Sequence, residues 1–187
     1  MFLPLTVNGT AKRVCPGRTG SGLPGRGTGR ASGRSTVRTK RVSSSGTMTY
    51  VAILDDGEEA FSALSGLAAR QRLSAGQVTA VGAFQRAVVG WFDREARDYR
   101  RIEIGEQCEV LSLLGDIALA SGEPQLHLHA VLGLRDGTTR GGHLLEGHVF
   151  PTLEVIIREA PADLRKTHRP ELGLALIDLE QSEVPKA

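Results

Sequence analysis

The chain has 187 residues, which is enough for one domain with a hydrophobic core. Its two cysteines exclude a disulfide framework and a multi-cysteine zinc motif, and no apolar run approaches the roughly 20 residues of a membrane span. The near balance of 23 Lys and Arg against 21 Asp and Glu hides an asymmetry, because every acidic residue lies after position 47. We therefore expect a cytoplasmic protein without a membrane partner and with an acidic body behind a basic tail.

Residues 1–47 are predicted to form a disordered tail rich in Gly, Arg and Ser. They offer almost nothing to bury, so packing cannot offset the conformational entropy lost on folding. Three interpretations stay open: a flexible basic arm on DNA, an organellar transit peptide, and a start codon assigned upstream of Met48, which we favour. The DNA interpretation uses the following side chains: Arg26, Arg30, Arg34, Arg38, Lys40 and Arg41.

The body, residues 48–180, is predicted to start with a strand at Tyr50–Leu54 and a helix, and residues 181–187 form a C-terminal tail. Asp56 is placed to cap the helix, with Glu58 and Glu59 in its first turn, where carboxylates suit the helix dipole. The helix is expected to end near Leu73. Its apolar residues recur at helical spacing and form one buried stripe: Phe61, Leu64, Leu67 and Ala68.

The rest of the body consists of predicted strands separated by turn signals. The candidates are 77–84, 87–92, 99–104, 109–114, 126–134, 144–149, 152–158 and 172–178. One early helix followed by many short strands favours an α+β fold, in which the helix packs on a mostly antiparallel or mixed multi-stranded sheet.

Two histidines lie two residues apart in the predicted strand 126–134. The even positions of this strand form an apolar face, so His127 and His129 point to the opposite face, close enough for both rings to reach one ion. His143 follows two glycines and a predicted hairpin turn at Asp136-Gly137, which allows its strand to approach the first two rings. Three imidazoles suit Zn, Fe, Ni or Cu, with zinc as the first expectation and a fourth position open to water.

The histidines can instead face solvent or a subunit contact. Three further residues are candidates to orient a metal-bound histidine: His148, Glu109 and Glu154. The two glutamates lie inside apolar strands, where a buried carboxylate needs a partner; the alternative is a solvent-facing position on an alternating strand. No catalytic residue is predicted, because Cys108 has no neighbouring base and no Ser-His-Asp pattern is present.

Five segments of the body match a known family in the right order. They are VTAVGAF at 78–84, VVGWFD at 88–93, CEVLSLLGDIAL at 108–119, HLHAVLGLRDGTTRGGHLLEGHV at 127–149 and TLEVII at 152–157. With these segments the body resembles the bacterial form of the plants-and-prokaryotes conserved (PPC) domain, the domain of plant AT-hook nuclear-localized proteins. The resemblance implies a homotrimer and a metal site at His127, His129 and His143.

The resemblance also implies a DNA-associated role, since plant members join the domain to AT-hook arms that enter the minor groove of A·T-rich DNA. Segment 24–30, PGRGTGR, lacks the Pro-Arg-Gly-Arg-Pro core of an AT-hook. The first functional hypothesis is a homotrimeric, nucleoid-associated regulatory protein with a histidine-rich metal site. The alternatives are a metal-binding domain with a small-molecule or catalytic role and a structural or interaction module without DNA binding.

Overall fold

The computed structural model describes residues 37–41 and 47–183, all within one compact unit that spans 34–187. The described residues form one α-helix, α1 (Ala60–Gln71), and nine strands. The strands are β1 (Arg38–Arg41), β2 (Thr49–Asp55), β3 (Ala75–Asp93), β4 (Asp98–Ile104), β5 (Cys108–Ala120), β6 (Glu123–Gly133), β7 (Thr139–Glu159), β8 (Arg165–Arg169) and β9 (Leu174–Ile177).

All nine strands belong to one sheet with the order β1-β2-β7-β3-β5-β8-β9. Strand β4 pairs with β3, and β6 pairs with both β5 and β7. Strands β3, β5, β6 and β7 therefore pair in a closed circuit, as in a small barrel. Every pairing is antiparallel except that of β5 with β8, which is parallel. The α+β class, with one early helix on a mostly antiparallel sheet, is confirmed.

Helix α1 covers the barrel with one apolar face. Leu64, Leu67 and Ala68 are fully buried, and Phe61 packs against the same core while partly exposed. Full burial of a leucine side chain contributes about 1.5–3 kcal/mol, so this predicted stripe explains why the helix docks here. Within the described residues, no helix is long and apolar enough to cross a membrane.

The helix begins later than the sequence indicated. Glu59, rather than Asp56, is the N-cap, and its carboxylate accepts hydrogen bonds from the amides of Phe61 (3.0 Å) and Ser62 (2.8 Å). Glu58 precedes the helix too, so neither glutamate lies in the first turn. Glu59 can cap because its backbone is extended and forms a bridge with His148 of β7.

Two long strands replace four predicted short ones. Segments 77–84 and 87–92 join in β3, while 144–149 and 152–158 join in β7. The register between β3 and β7 shifts at several positions, so both strands continue through irregular positions that resemble strand ends in the sequence. Strand β8 was not predicted, because its charged sequence RKTHR has no apolar alternation.

Strand β1 corrects the expected disorder at Arg38–Arg41. This segment pairs with β2 at the edge of the sheet, where backbone hydrogen bonds can hold a strand whose side chains are all exposed. Residues 1–36 and 42–46 of the predicted tail, which include Arg26, Arg30 and Arg34, lie outside the described residues.

Candidate metal centre

The three predicted histidines converge at one point between β6 and β7. The register of these strands places His129 directly opposite His143, and His127 lies two residues earlier on β6. One ring nitrogen from each residue lies within 4.8 Å of the other two. The ring centroids are 5.0 to 5.5 Å apart. These three residues, called the histidine cluster below, are arranged so that they can hold a metal ion.

The ring nitrogens have different partners. Nε2 of His127 lies 3.1 Å from Nε2 of His129, while Nδ1 of His127 faces Oδ2 of Asp116 at 3.4 Å. A carboxylate behind a histidine fixes its tautomer and is a common partner of metal-binding imidazoles. Nδ1 of His143 is buried and has no hydrogen-bond partner among the described residues. An unsatisfied buried nitrogen is rare in proteins, and it fits a cluster that accommodates a bound group.

The surroundings keep two of the rings uncharged near neutral pH. Burial, together with the positive charges of His127, His129 and Lys166, lowers the pKa of His143 to about 4. Burial and the charge of His127 also lower the pKa of His129. Because a metal binds the neutral imidazole, these two rings need not release a proton before they bind an ion at neutral pH.

Asp116 and Lys166 extend the cluster, and the sequence pointed to neither. Asp116 lies opposite His127 on β5, and its Oδ1 forms an ion pair with Nζ of Lys166 at 2.9 Å. The Lys166 side chain is only 3% exposed. Burial favours the neutral form of Asp116, but the contacts with His127 and Lys166 outweigh it and lower the pKa of the carboxyl group. Asp116 therefore stays ionised behind His127.

Tyr99 of β4 packs against the cluster. Its ring stacks on that of His143, with the centroids 4.7 Å apart. A Cβ atom at Gly90, which pairs with His143, would lie 2.8 Å from the Tyr99 ring, and one at Gly142 would lie 2.5 Å from the Gly90 carbonyl oxygen. Glycine at both positions lets the strands and the tyrosine come this close.

The three predicted orienting residues lie elsewhere. The backbone of His148 pairs with that of Arg86 in β3 and forms an isolated β-bridge with that of Glu59. Glu109 and Glu154 are exposed on β5 and β7, because strand alternation turns them to solvent. Among the described acidic residues, the one that contacts the cluster is Asp116. The expected role thus falls to another carboxylate, which lies on β5 beyond the end of the predicted strand 109–114.

The basic residues of β1 are solvent-exposed. Arg38 forms an ion pair with Asp55 at 2.7 Å, so part of its charge is already matched within the sheet. Nη1 of Arg41 contacts the sulfur of Met48 at 3.8 Å. Lys40 extends from the same edge.

The fold and cluster together define a single-helix α+β domain that can hold a metal ion. The family model of the Plants and Prokaryotes Conserved (PCC, also written PPC) domain matches residues 41–161, and the chain belongs to this family. This confirms the resemblance found in the sequence. A search of curated proteins found no significant match.

Several solved structures share the fold. A protein of Bacteroides thetaiotaomicron, described as a "putative DNA binding protein", is 23% identical with a TM-score of 0.73, covering 78% of this chain and 99% of its own. A PPC protein of Pyrococcus horikoshii is 29% identical with a TM-score of 0.66, over 70% and 90% of the two chains. A metal-containing protein of Archaeoglobus fulgidus is 28% identical with a TM-score of 0.63, over 76% and 98%.

Proposed function

We propose that the protein is a metal-binding domain whose centre is formed by His127, His129 and His143. The observation that carries this proposal is the convergence of three rings, each with a nitrogen within 4.8 Å of the others. Zinc is the first candidate, and iron, nickel and copper also suit three imidazoles. The metal-containing relative from Archaeoglobus fulgidus supports the proposal.

The surrounding residues have separate tasks in this proposal. Asp116 holds His127 so that Nε2 faces the cluster, and Lys166 keeps Asp116 ionised. Tyr99 restricts rotation of the His143 ring by stacking on it. Three protein ligands leave a coordination position open, where a bound metal can activate water or polarise a ligand.

Elemental analysis of the purified protein tests this proposal. The wild-type chain is expected to hold one transition-metal ion, and the variant His127→Ala/His129→Ala to hold none. His168→Ala is the matched control, because His168 lies on β8 and outside the cluster. Equal metal content in the wild type and the double variant would contradict the proposal.

The proposal includes self-association, with a homotrimer as the expected form. Four exposed apolar side chains share the face of the sheet that carries His129, as the strand register shows: Val81, Leu114, Val131 and Ile156. A contiguous apolar patch on a soluble protein marks an interaction surface. Light scattering should give the trimer mass for the wild type and a lower mass for Leu114→Lys. The control Leu179→Lys lies outside the patch, and equal masses for all three chains at the monomer value would exclude self-association.

DNA association is a second candidate, supported by the exposed basic side chains of β1. The acidic body is not itself a phosphate-binding surface, so binding would depend on β1 and the basic residues before it. Affinity for an A·T-rich duplex should fall steeply with salt, and further for a chain lacking residues 1–36 or carrying Lys40→Gln/Arg41→Gln. Unchanged affinity in both variants would exclude this candidate and the nucleoid association that follows from it.

A further inference from the structure

A cavity of about 330 Å³ opens beside the histidine cluster. His127 and His143 form part of its wall, and Lys166 with Gln125 forms another part. The cavity therefore reaches the side chains that would hold the metal. A ligand in it would lie beside the rings of His127 and His143.

The charges around this cavity favour an anion. Three neutral imidazoles leave the charge of a divalent ion uncompensated, and the nearby carboxylate of Asp116 is already matched by Lys166. The residues that line the cavity include no Asp or Glu, and the charge of the lining residue Lys166 is paired with that of Asp116. A negative ligand would be attracted, whereas a cation would find no carboxylate on the wall.

The rest of the wall is largely apolar. Its apolar residues include Phe61 of α1, Leu126 of β6, and Leu174 and Leu176 of the β8–β9 hairpin. This hairpin follows residue 161, where the match to the family model ends. The chain thus adds its own apolar wall, together with Lys166, to the part of the domain that the family model matches.

We propose that this cavity binds a small organic acid, with the carboxylate at the metal and an aliphatic chain against the apolar residues that α1, β6 and the β8–β9 hairpin contribute. This inference rests on the proposed metal centre. A carboxylate suits the uncompensated charge, and an aliphatic chain suits the leucine and phenylalanine walls. An alcohol or an amine of the same length has the aliphatic chain but lacks the carboxylate.

Titration calorimetry on the zinc-loaded full chain tests the proposal with acetate, butyrate, hexanoate and hexanol as probes. Each methylene that enters the apolar part should tighten binding about fourfold, so two methylenes should give about 15-fold. Hexanol should bind at least about tenfold more weakly than hexanoate. In the cobalt-loaded chain, hexanoate should change the visible absorption spectrum of the metal. Affinity that does not vary with chain length, or hexanol that binds as tightly as hexanoate, would overturn the proposal.

Two variants place a carboxylate in the cavity from two different elements of its lining. Leu176→Glu on β9 and Ser65→Glu on α1 should each weaken hexanoate binding at least about tenfold while metal content stays at the wild-type level. The second variant leaves the hairpin sequence intact if the first disturbs folding. Leu179→Glu is the matched control, because Leu179 is 80% exposed and does not line the cavity. Undiminished binding in both cavity variants would overturn the proposal.

Metal content separates failure of this inference from failure of the metal centre. A wild-type chain that loads zinc but does not bind hexanoate refutes the organic-acid site alone. A chain that loads no metal refutes the proposed function and this inference with it. Equal hexanoate affinity with and without zinc would show that the carboxylate does not meet the metal, which also overturns the proposal.

Discussion

Replacement of Asp116 by asparagine tests the two roles of this carboxylate, one in metal binding and one in stability. The Asp116 carboxylate contacts Nδ1 of His127 through one oxygen and Nζ of Lys166 through the other, at 3.4 and 2.9 Å. Asparagine keeps the size of the side chain but removes its charge. The substitution therefore weakens the contact that orients the His127 ring, and it leaves the Lys166 ammonium group without its counter-ion.

The two effects have different magnitudes. Loss of the carboxylate behind a metal-binding histidine typically lowers metal affinity 10- to 100-fold, and we expect this range for Asp116→Asn. Breaking a fully buried ion pair costs about 3–5 kcal/mol. The Lys166 side chain is 3% exposed, but that of Asp116 is 30% exposed. Water therefore screens part of this ion pair, and its loss costs less than that of a fully buried pair. We expect the free energy of unfolding of the metal-free protein to fall by about 1–3 kcal/mol.

Competition with a chromophoric chelator measures the zinc affinity, and urea unfolding of the metal-free protein measures stability. Asp116→Asn/Lys166→Met should recover most of the lost stability, because no unpaired ammonium group remains buried, but none of the lost affinity. Asp56→Asn, in an exposed turn, is the control for both measurements. An Asp116→Asn variant with wild-type zinc affinity would refute the assigned role of Asp116.

Three further predictions concern the structure around the centre. Gly142→Ala should lower the free energy of unfolding by about 1–3 kcal/mol in urea, because its Cβ would lie 2.5 Å from the Gly90 carbonyl oxygen; an unchanged midpoint would contradict this packing. In the metal-free protein, the pKa of His143 is about 4 when folded against an ordinary 6.5. Its contribution to stability should be complete above pH 6.5 and be lost as the pH falls towards 4; His143→Asn should flatten this slope, and an equal slope would contradict the assignment. Glu59→Ala should lower the free energy of unfolding by about 0.5–2 kcal/mol, because the helix loses its N-cap. A melting temperature equal to that of the wild type would exclude this role.

The histidine cluster could be predicted because it depends on local rules. Strand alternation places His127 and His129 on one face, and a short hairpin turned at Gly137, where φ is 84°, brings His143 opposite His129. Each step uses residues close together in the sequence. The same alternation predicted the buried leucines of β6.

Asp116 and Lys166 could not be assigned in this way. Asp116 pairs with His127 through a part of β5 that extends beyond the predicted strand end at position 114. The position of Lys166 depends on the parallel pairing of β5 with β8, which is a contact between distant segments. A single sequence does not specify such a register. Glu109, on the same strand as Asp116, was the carboxylate that local alternation made conspicuous, but it faces solvent.

The ends of elements escaped prediction for a similar reason. Strand β1 has the exposed sequence RTKR and is held by its backbone pairing with β2. Tertiary context also explains why Glu59 rather than Asp56 caps the helix. The Glu59 carboxylate accepts a hydrogen bond from the amide of Gly147 at 3.1 Å, in addition to those from the helix. Contacts of this kind between distant segments leave no local pattern.

The most direct test of the metal centre is anomalous diffraction at the zinc edge from crystals of the zinc-loaded protein. We predict one anomalous peak per chain, about 2.0–2.1 Å from a ring nitrogen of each of His127, His129 and His143. A peak at another group of residues, or no peak between these three rings, would contradict the assignment.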